Sequence, residues 1–179
     1  MKILTIENDL EYLRQISKDV AFDDKELKQN IIELKKYCSD KKIFAIAGIQ
    51  LGIPKKIIYV KCSKPEKNSD INYDENLIMI NPKIIEEKGE TYFWEACASC
   101  LDNTCYVKRP YSIKIEYYDI NGNKNVKELN GFISTVISHE YDHLFGTLHM
   151  DKSEKTLHLT KEERDKLRRK ESYLIISKK

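Results

Sequence analysis

The stretch Ser138-His139-Glu140-Tyr141-Asp142-His143-Leu144-Phe145-Gly146 constrains the chain most. On an α-helix, residues four apart lie one turn along and about 40° around the axis. His139 and His143 then aim two imidazole nitrogens at one point, with Glu140 beside the first, within reach of a water held there. Two neutral imidazoles and an adjacent carboxylate meet the needs of a metal hydrolase: ligands for the ion and a general base for its water. The pattern predicts a helix over residues 132–144, entered from Gly131 and closed by Gly146 in a left-handed cap. The pair leaves the third ligand open.

The surroundings bound the class. A chain of 179 residues suits one domain over residues 1–179, with the charged stretch 152–179 as a C-terminal helix and strand appendage. Charged residues make up 34% of the chain, yet the signs are interspersed and nearly cancel, to a formal +2, which argues against a dedicated nucleic-acid or membrane surface. No apolar run approaches the roughly 20 residues that span a bilayer. Residues 1–6 run straight into Glu7, Asn8 and Asp9 without a signal-peptide pattern, so a cytoplasmic location is expected. The 5 cysteines, Cys38, Cys62, Cys97, Cys100 and Cys105, are an odd number and do not read as a disulfide framework.

The elements follow from periodicity. Residues 3–6 read as a short strand or extended arm. Asp24 caps a helix over about residues 25–38, where Leu27, Ile31, Leu34 and Cys38 form one apolar stripe. Residues 43–50 are apolar and small, ending in the amide of Gln50. A strand is expected at 56–61, a polar surface loop at 63–75, and a buried strand at 77–80 closed by Asn81-Pro82, with 83–87 extended beyond. Residues 112–118 and 125–129 form a hairpin about Asn121-Gly122. Thr160 with Glu163 makes a capping box for a helix to about Arg169, and residues 173–176 are strand-like. Strands first, one late central helix and a terminal helix give an α+β domain.

Two answers to the third ligand are visible. Locally, His139-Glu140-x-x-His143-x-x-Gly146-x-x-His149 reproduces the zinc pattern of metzincin peptidases. Against it, the Met-turn such enzymes place below the metal has no later methionine than Met150, and the remaining residues read as charged and helical. The other answer is a thiolate from upstream, since Cys-His-His leaves a fourth position open for water. Spacing does not choose among Cys97, Cys100 and Cys105. Cys97-x-x-Cys100 lacks the second pair of a zinc ribbon and the βαβ setting of a redox motif.

Three stretches together resemble the peptide deformylase family, whose motifs run Gly-x-Gly-x-Ala-Ala-x-Gln, Glu-Gly-Cys-x-Ser and Gln-His-Glu-x-Asp-His in that order. Ile43-Phe44-Ala45-Ile46-Ala47-Gly48-Ile49-Gln50 is similar to the first, Glu95-Ala96-Cys97-Ala98-Ser99 to the second and Ser138-His139-Glu140-Tyr141-Asp142-His143 to the third. The chain departs from the pattern where Ile43 and Ala45 replace both glycines, Gly48 the second alanine, Ala96 the glycine before the cysteine and Ser138 the glutamine. His149 stands where phenylalanine is common.

The resemblance implies an α+β, peptide-deformylase-like domain with mixed β-strands around a central metal-binding helix, plus a short C-terminal helix and strand. It implies removal of the N-formyl group from N-terminal formylmethionine of nascent polypeptides, with release of formate. Cys97, His139 and His143 become the ligands of one divalent metal ion, ferrous iron in the cell, with zinc, nickel or cobalt in purified protein. Glu140 is then the general base, and the Gln50 amide and the Ala98 backbone N–H stabilise the oxyanion. Glu95, Arg109 and Asp142 support the metal centre; Phe44, Phe93, Phe132 and Val136 are candidates for the methionine pocket. The implied partners are N-formylmethionyl peptides, with transient proximity to the ribosome. Two alternatives stay open: a metal-binding relative of weak or redirected activity, because Ile43 and Ala45 obstruct the peptide, and the metzincin-type peptidase using His149.

Overall fold

The fold is described by a computed structural model covering residues 1–61 and 76–179. The polar loop expected at 63–75 lies outside the described residues. One antiparallel sheet holds β1 (Ala45–Ala47), β2 (Ile57–Val60), β3 (Leu77–Lys88), β6 (Ser112–Tyr118) and β7 (Lys124–Asn130), in the order β1-β2-β3-β6-β7. A second holds β4 (Glu90–Ala96), β5 (Asn103–Arg109), β8 (Ser153–His158) and β9 (Leu174–Ser177), in the order β8-β5-β4-β9. The helices are α1 (Leu10–Leu13), α2 (Leu27–Lys41), α3 (Phe132–His143) and α4 (Lys161–Lys170).

Strand β2 shows how the first sheet is held. All four of its residues are buried. Ile58 and Val60 pack with Ile133, Ile137 and Leu144 from α3 and its exit, whereas Ile57 and Tyr59 pack with Leu27, Ile31, Leu34 and Cys38 of α2. The two-residue period of a strand thus serves two cores, one on each face. Helix α3 touches β1, β2 and β7 on its apolar side and β5 of the other sheet, and so holds the histidines between the sheets.

Several boundaries differ from the sequence reading for local reasons. Helix α2 starts at Leu27 because Asp24 turns its side chain onto the Glu26 amide, at 2.9 Å. It ends at Lys42 in a left-handed conformation, φ 55°. Asn81-Pro82 does not close a strand. β3 runs through it with a register shift between Ile80 and Lys83, a bulge that absorbs the proline's missing donor. Asn81, at φ 49°, uses its side-chain amide to bridge both backbone groups of Val20. The stretch after Met150, expected to be charged and helical, begins instead with a 3-10 turn and then β8, whose residues are mostly exposed. Pairing with β5 supplies its order, so apolar periodicity could not reveal it.

Residues 3–6 form the expected arm: Leu4 N–H donates to Gln50 O and Ile6 N–H to Ser99 O, each at 2.9 Å. Gly146 ends α3 as expected, at φ 70°, with Thr147 N–H donating to Asp142 O at 3.1 Å. A Cβ there would stand 2.1 Å from Arg14 O, so only glycine lets the N-terminal segment close over the helix end.

Candidate metal centre

Three elements deliver the donors. Cys97 ends β4 and precedes a 3-10 turn, Ala98–Cys100; His139 and His143 lie on one face of α3. One donor atom from each of these three residues falls within 4.8 Å of the others. Cys97 Sγ lies 3.2 Å from His143 Nε2. Cys97 and His143 are buried, His143 fully, and the His139 side chain is nearly so. A soft sulfur and two imidazole nitrogens converging in this way fit a divalent transition metal. The orphaned Oε2 of buried Glu140 beside them is the polar atom that a water in such a site would meet.

A chain of buried charges fixes the first histidine. Glu95 Oε2 accepts from His139 Nδ1 at 2.8 Å, which sets the tautomer that leaves Nε2 free as a donor. Arg109 grips the same carboxylate with two bonds, at 2.7 and 2.9 Å, and turns Nη1 to Asp142. Lys152 closes the far end on Asp142 at 2.7 Å. Burial alone would raise Glu95, but the Arg109 cation and the His139 bond hold it far below the ordinary carboxylate range. Asp142 therefore faces Arg109 and Lys152 and does not reach the donors.

Burial pushes the Glu140 carboxyl up to about 8; His139 opposes the rise and the nearby Cys97 adds to it. Gln50 sits in the 3-10 turn Gly48–Leu51 after β1, with Oε1 accepting from Ala47 N–H at 2.9 Å. That bond fixes the amide's orientation, so Nε2 is aimed at Cys97 Sγ (3.4 Å) and Ser99 Oγ (3.1 Å). Ala98 opens its 3-10 turn, where an N–H has no partner within the turn.

These groups border a cavity of about 220 Å³, sized for one side chain. Phe44, Phe93, Phe132 and Val136, the four expected pocket residues, line it. Phe132 meets Phe93 edge-on at 5.1 Å and Phe44 at 6.3 Å. Two contributors were not anticipated. Arg168 of α4 lines the cavity, and Tyr173, just before β9, packs on Phe132 at 5.8 Å and meets Thr135 Oγ1 at 3.3 Å. Neither carries a spacing signal, because each reaches the site from the far end of the chain. Lys152 likewise carried no pattern, whereas Ser99 lay within the second motif without a role assigned to it.

The rival ligands lie apart. His149 is buried behind His139, ring centroids 5.5 Å apart, with Nε2 against Asn103 O at 3.3 Å. It does not belong to the converging group. Cys100 packs beneath Cys97 against Leu148, and Cys105 Sγ meets Thr156 Oγ1 at 3.4 Å.

Two sheets that clasp a helix bearing two histidines, a buried thiol joining them and a carboxylate at the cavity wall define the class: a metal-dependent hydrolase. The family model described as polypeptide deformylase matches residues 1–158. A peptide deformylase of Pelagibacter ubique is 35% identical over 152 residues, 83% of this chain and 83% of that protein. The crystal structure of a Plasmodium falciparum peptide deformylase superposes with a TM-score of 0.73 at 32% identity, covering 94% of this chain and 92% of that one. A probable peptide deformylase from Synechococcus phage S-SSM7 gives 0.72 at 31% identity, over 85% and 99%. The chain belongs to the polypeptide deformylase family and is an enzyme of that kind. That membership removes the metzincin reading built on His149.

Proposed function

We propose that the chain removes the formyl group from N-terminal formylmethionine of newly made polypeptides, with Cys97, His139 and His143 holding the metal. The convergence of these three donors beside Glu140 and Gln50, in a cavity walled by aromatic rings, carries the reading. When bound, a divalent ion supplies Lewis acidity and lowers the pKa of a water towards about 7. Glu140 would take the proton of the attacking water as the water oxygen bonds to the formyl carbon. The carboxyl then returns the proton to the departing amine, so one water and one formamide give formate and a free N-terminus. The Gln50 Nε2 donors and the Ala98 backbone N–H are the groups that would stabilise the negative charge developing on the formyl oxygen.

The methionine side chain fits among Phe44, Phe93, Phe132 and Val136. The peptide has two strand edges to follow. β1 ends its sheet, and β9 pairs with β4 only at Glu90, Thr91 and Tyr92, short of the cavity. Glu95 and Arg109 orient His139, and Asp142 anchors Arg109. The family resemblance favours ferrous iron as the ion in the cell, since this donor set accepts iron, zinc, nickel or cobalt alike. It also favours a cytoplasmic location and passing proximity to the ribosome. No helix among the described residues is long and apolar enough to cross a membrane.

An anaerobic assay of formate release from a formyl-Met peptide tests the proposal, with metal content measured on the same samples. Wild type should release formate, and Glu140→Ala should lose about two to four orders of magnitude while keeping its metal. Well-metallated wild type that releases none sinks the proposal.

A further inference from the structure

Arg168 is the one lysine or arginine in the cavity wall among the described residues. It comes from α4, beyond residues 1–158 matched by the family model, so the family motifs do not account for it. Its guanidinium lies 4.7 Å from the centroid of the Phe93 ring, and Nε donates to the Trp94 carbonyl at 2.8 Å. That bond follows where the strand pairing stops: β9 leaves β4 after Tyr92, and Arg168 bonds the carbonyl of Trp94, two residues further along the same strand.

The cation is unusual in what it lacks. Asp165 and Glu95 act on it only through space, Arg164 repels it, and it forms no ion pair among the described residues. Burial lowers its pKa to about 10, which leaves the charge in place at neutral pH. A largely buried guanidinium with one of its five donors bound to a carbonyl has capacity for an anion.

Its position sets which part of a substrate it meets. Trp94 precedes Cys97 by three residues, roughly 10 Å along a strand. In an extended peptide whose formyl carbon lies at the metal centre, the second and third Cα atoms are about 6 and 10 Å away. We propose that Arg168 is a specificity-determining residue that favours substrates with a carboxylate at the second or third residue, counting formylmethionine as the first. The carboxylate comes either from an aspartate or glutamate side chain or from the free C-terminus of a short peptide. The inference rests on the deformylase reading above.

The test compares kcat/KM for formate release from formyl-Met-Ala-Ala-amide with four other peptides. These are its Glu variants at position two and at position three, its Lys variant at position two, and the same peptide with a free C-terminus. For wild type, a carboxylate should raise kcat/KM about three- to tenfold, mainly through KM, and lysine should lower it. The preference should shrink in 0.5 M salt, vanish in Arg168→Met and survive in part in Arg168→Lys. A gain confined to the glutamyl amides assigns the side chain as the ligand; one confined to the free C-terminus assigns the α-carboxylate. Equal rates for neutral and acidic peptides, or a preference unchanged in Arg168→Met, overturn the Arg168 assignment alone. Should Arg168→Met fail to fold, the wild-type peptide series, its salt dependence and Arg168→Lys still decide. Formate from none of the peptides overturns the underlying function and this inference with it.

Discussion

Replacing Arg109 by leucine should show how much of the metal centre rests on one buried cation. Arg109 is 3% exposed, between Glu95 at 4% and Asp142 at 9%. Its removal leaves Glu95 ionised in the interior with only the His139 N–H as partner. Breaking one side of a buried pair costs about 3–5 kcal/mol, far more than the intact pair contributes against an apolar substitute. With a urea slope of roughly 1–3 kcal/mol per molar, the midpoint should fall by about 2 M. The sign of the pH dependence is specific. In the wild type, Glu95 stabilises above the pKa it has when unfolded, and that contribution is lost only as pH falls through its strongly lowered folded value. In Arg109→Leu the folded pKa rises, so Glu95 is protonated far earlier and the deficit relative to wild type shrinks between pH 7.5 and 5. The double variant Arg109→Leu/Glu95→Gln should be more stable than the sum of its single losses predicts, because no uncompensated carboxylate remains. Urea unfolding of metal-free protein at both pH values is the assay. A deficit under about 1 kcal/mol at pH 7.5, or strict additivity in the double variant, refutes the reasoning.

Other expectations follow from the same geometry. Glu140 has a folded pKa of about 8, above its unfolded value, so its protonated form stabilises the metal-free protein at low pH and that gain fades as pH rises from about 5 to 8. Calorimetry across this range should show the loss in wild type and a flatter profile in Glu140→Gln. Gln50→Leu removes an oriented donor and should lower kcat about a hundred- to thousandfold, with KM little changed, in the formate assay. Cys97→Ala should abolish stoichiometric metal in plasma emission analysis, whereas His149→Ala should retain it, its ring lying outside the converging group. The reverse pattern would restore the local histidine as a ligand.

How much of this was legible in the sequence follows from which interactions each element relies on. Helix α2 and the β6–β7 hairpin announce themselves through apolar stripes and turn residues, because their order comes from a core face that they carry themselves. β4 and β5 do not, since the positions pointing inward there include Glu95 and Arg109, two charges that invert the rule of apolar inside. The helix, its histidines and Glu140 were readable from spacing. Cys97 needed the family pattern, because nothing local separates it from Cys100 and Cys105, both equally buried. The Glu95–Arg109–Asp142–Lys152 chain was visible in part: three of its four members were expected near the metal, but Lys152 and the order of contacts depend on the packing of β4, β5 and α3.

The substituted glycines bear on whether this variant of the family pattern is compatible with a working site. Ile43, Ala45 and Ala96 stand where the pattern has glycine, and a backbone that required positive φ there would be strained by each. Among the described non-glycine residues, positive φ occurs only at Lys42, Asn81 and Leu101. The backbone at the three substituted positions is therefore within reach of any L-residue, and the strands form without glycine's freedom. What the substitutions change is the cavity wall, which Ile43, Ala45 and Ala96 all line. Each of the three brings a side chain to the wall that Gln50 and Cys97 also line. The expected consequence is selective: bulk near the formyl group should be penalised, while the bond from Ala47 N–H to Gln50 Oε1, at 2.9 Å, holds the amide in place. An enzyme narrowed in this way should lose activity on branched first residues faster than on methionine, because an unbranched thioether bends to fit where a β-branched side chain does not.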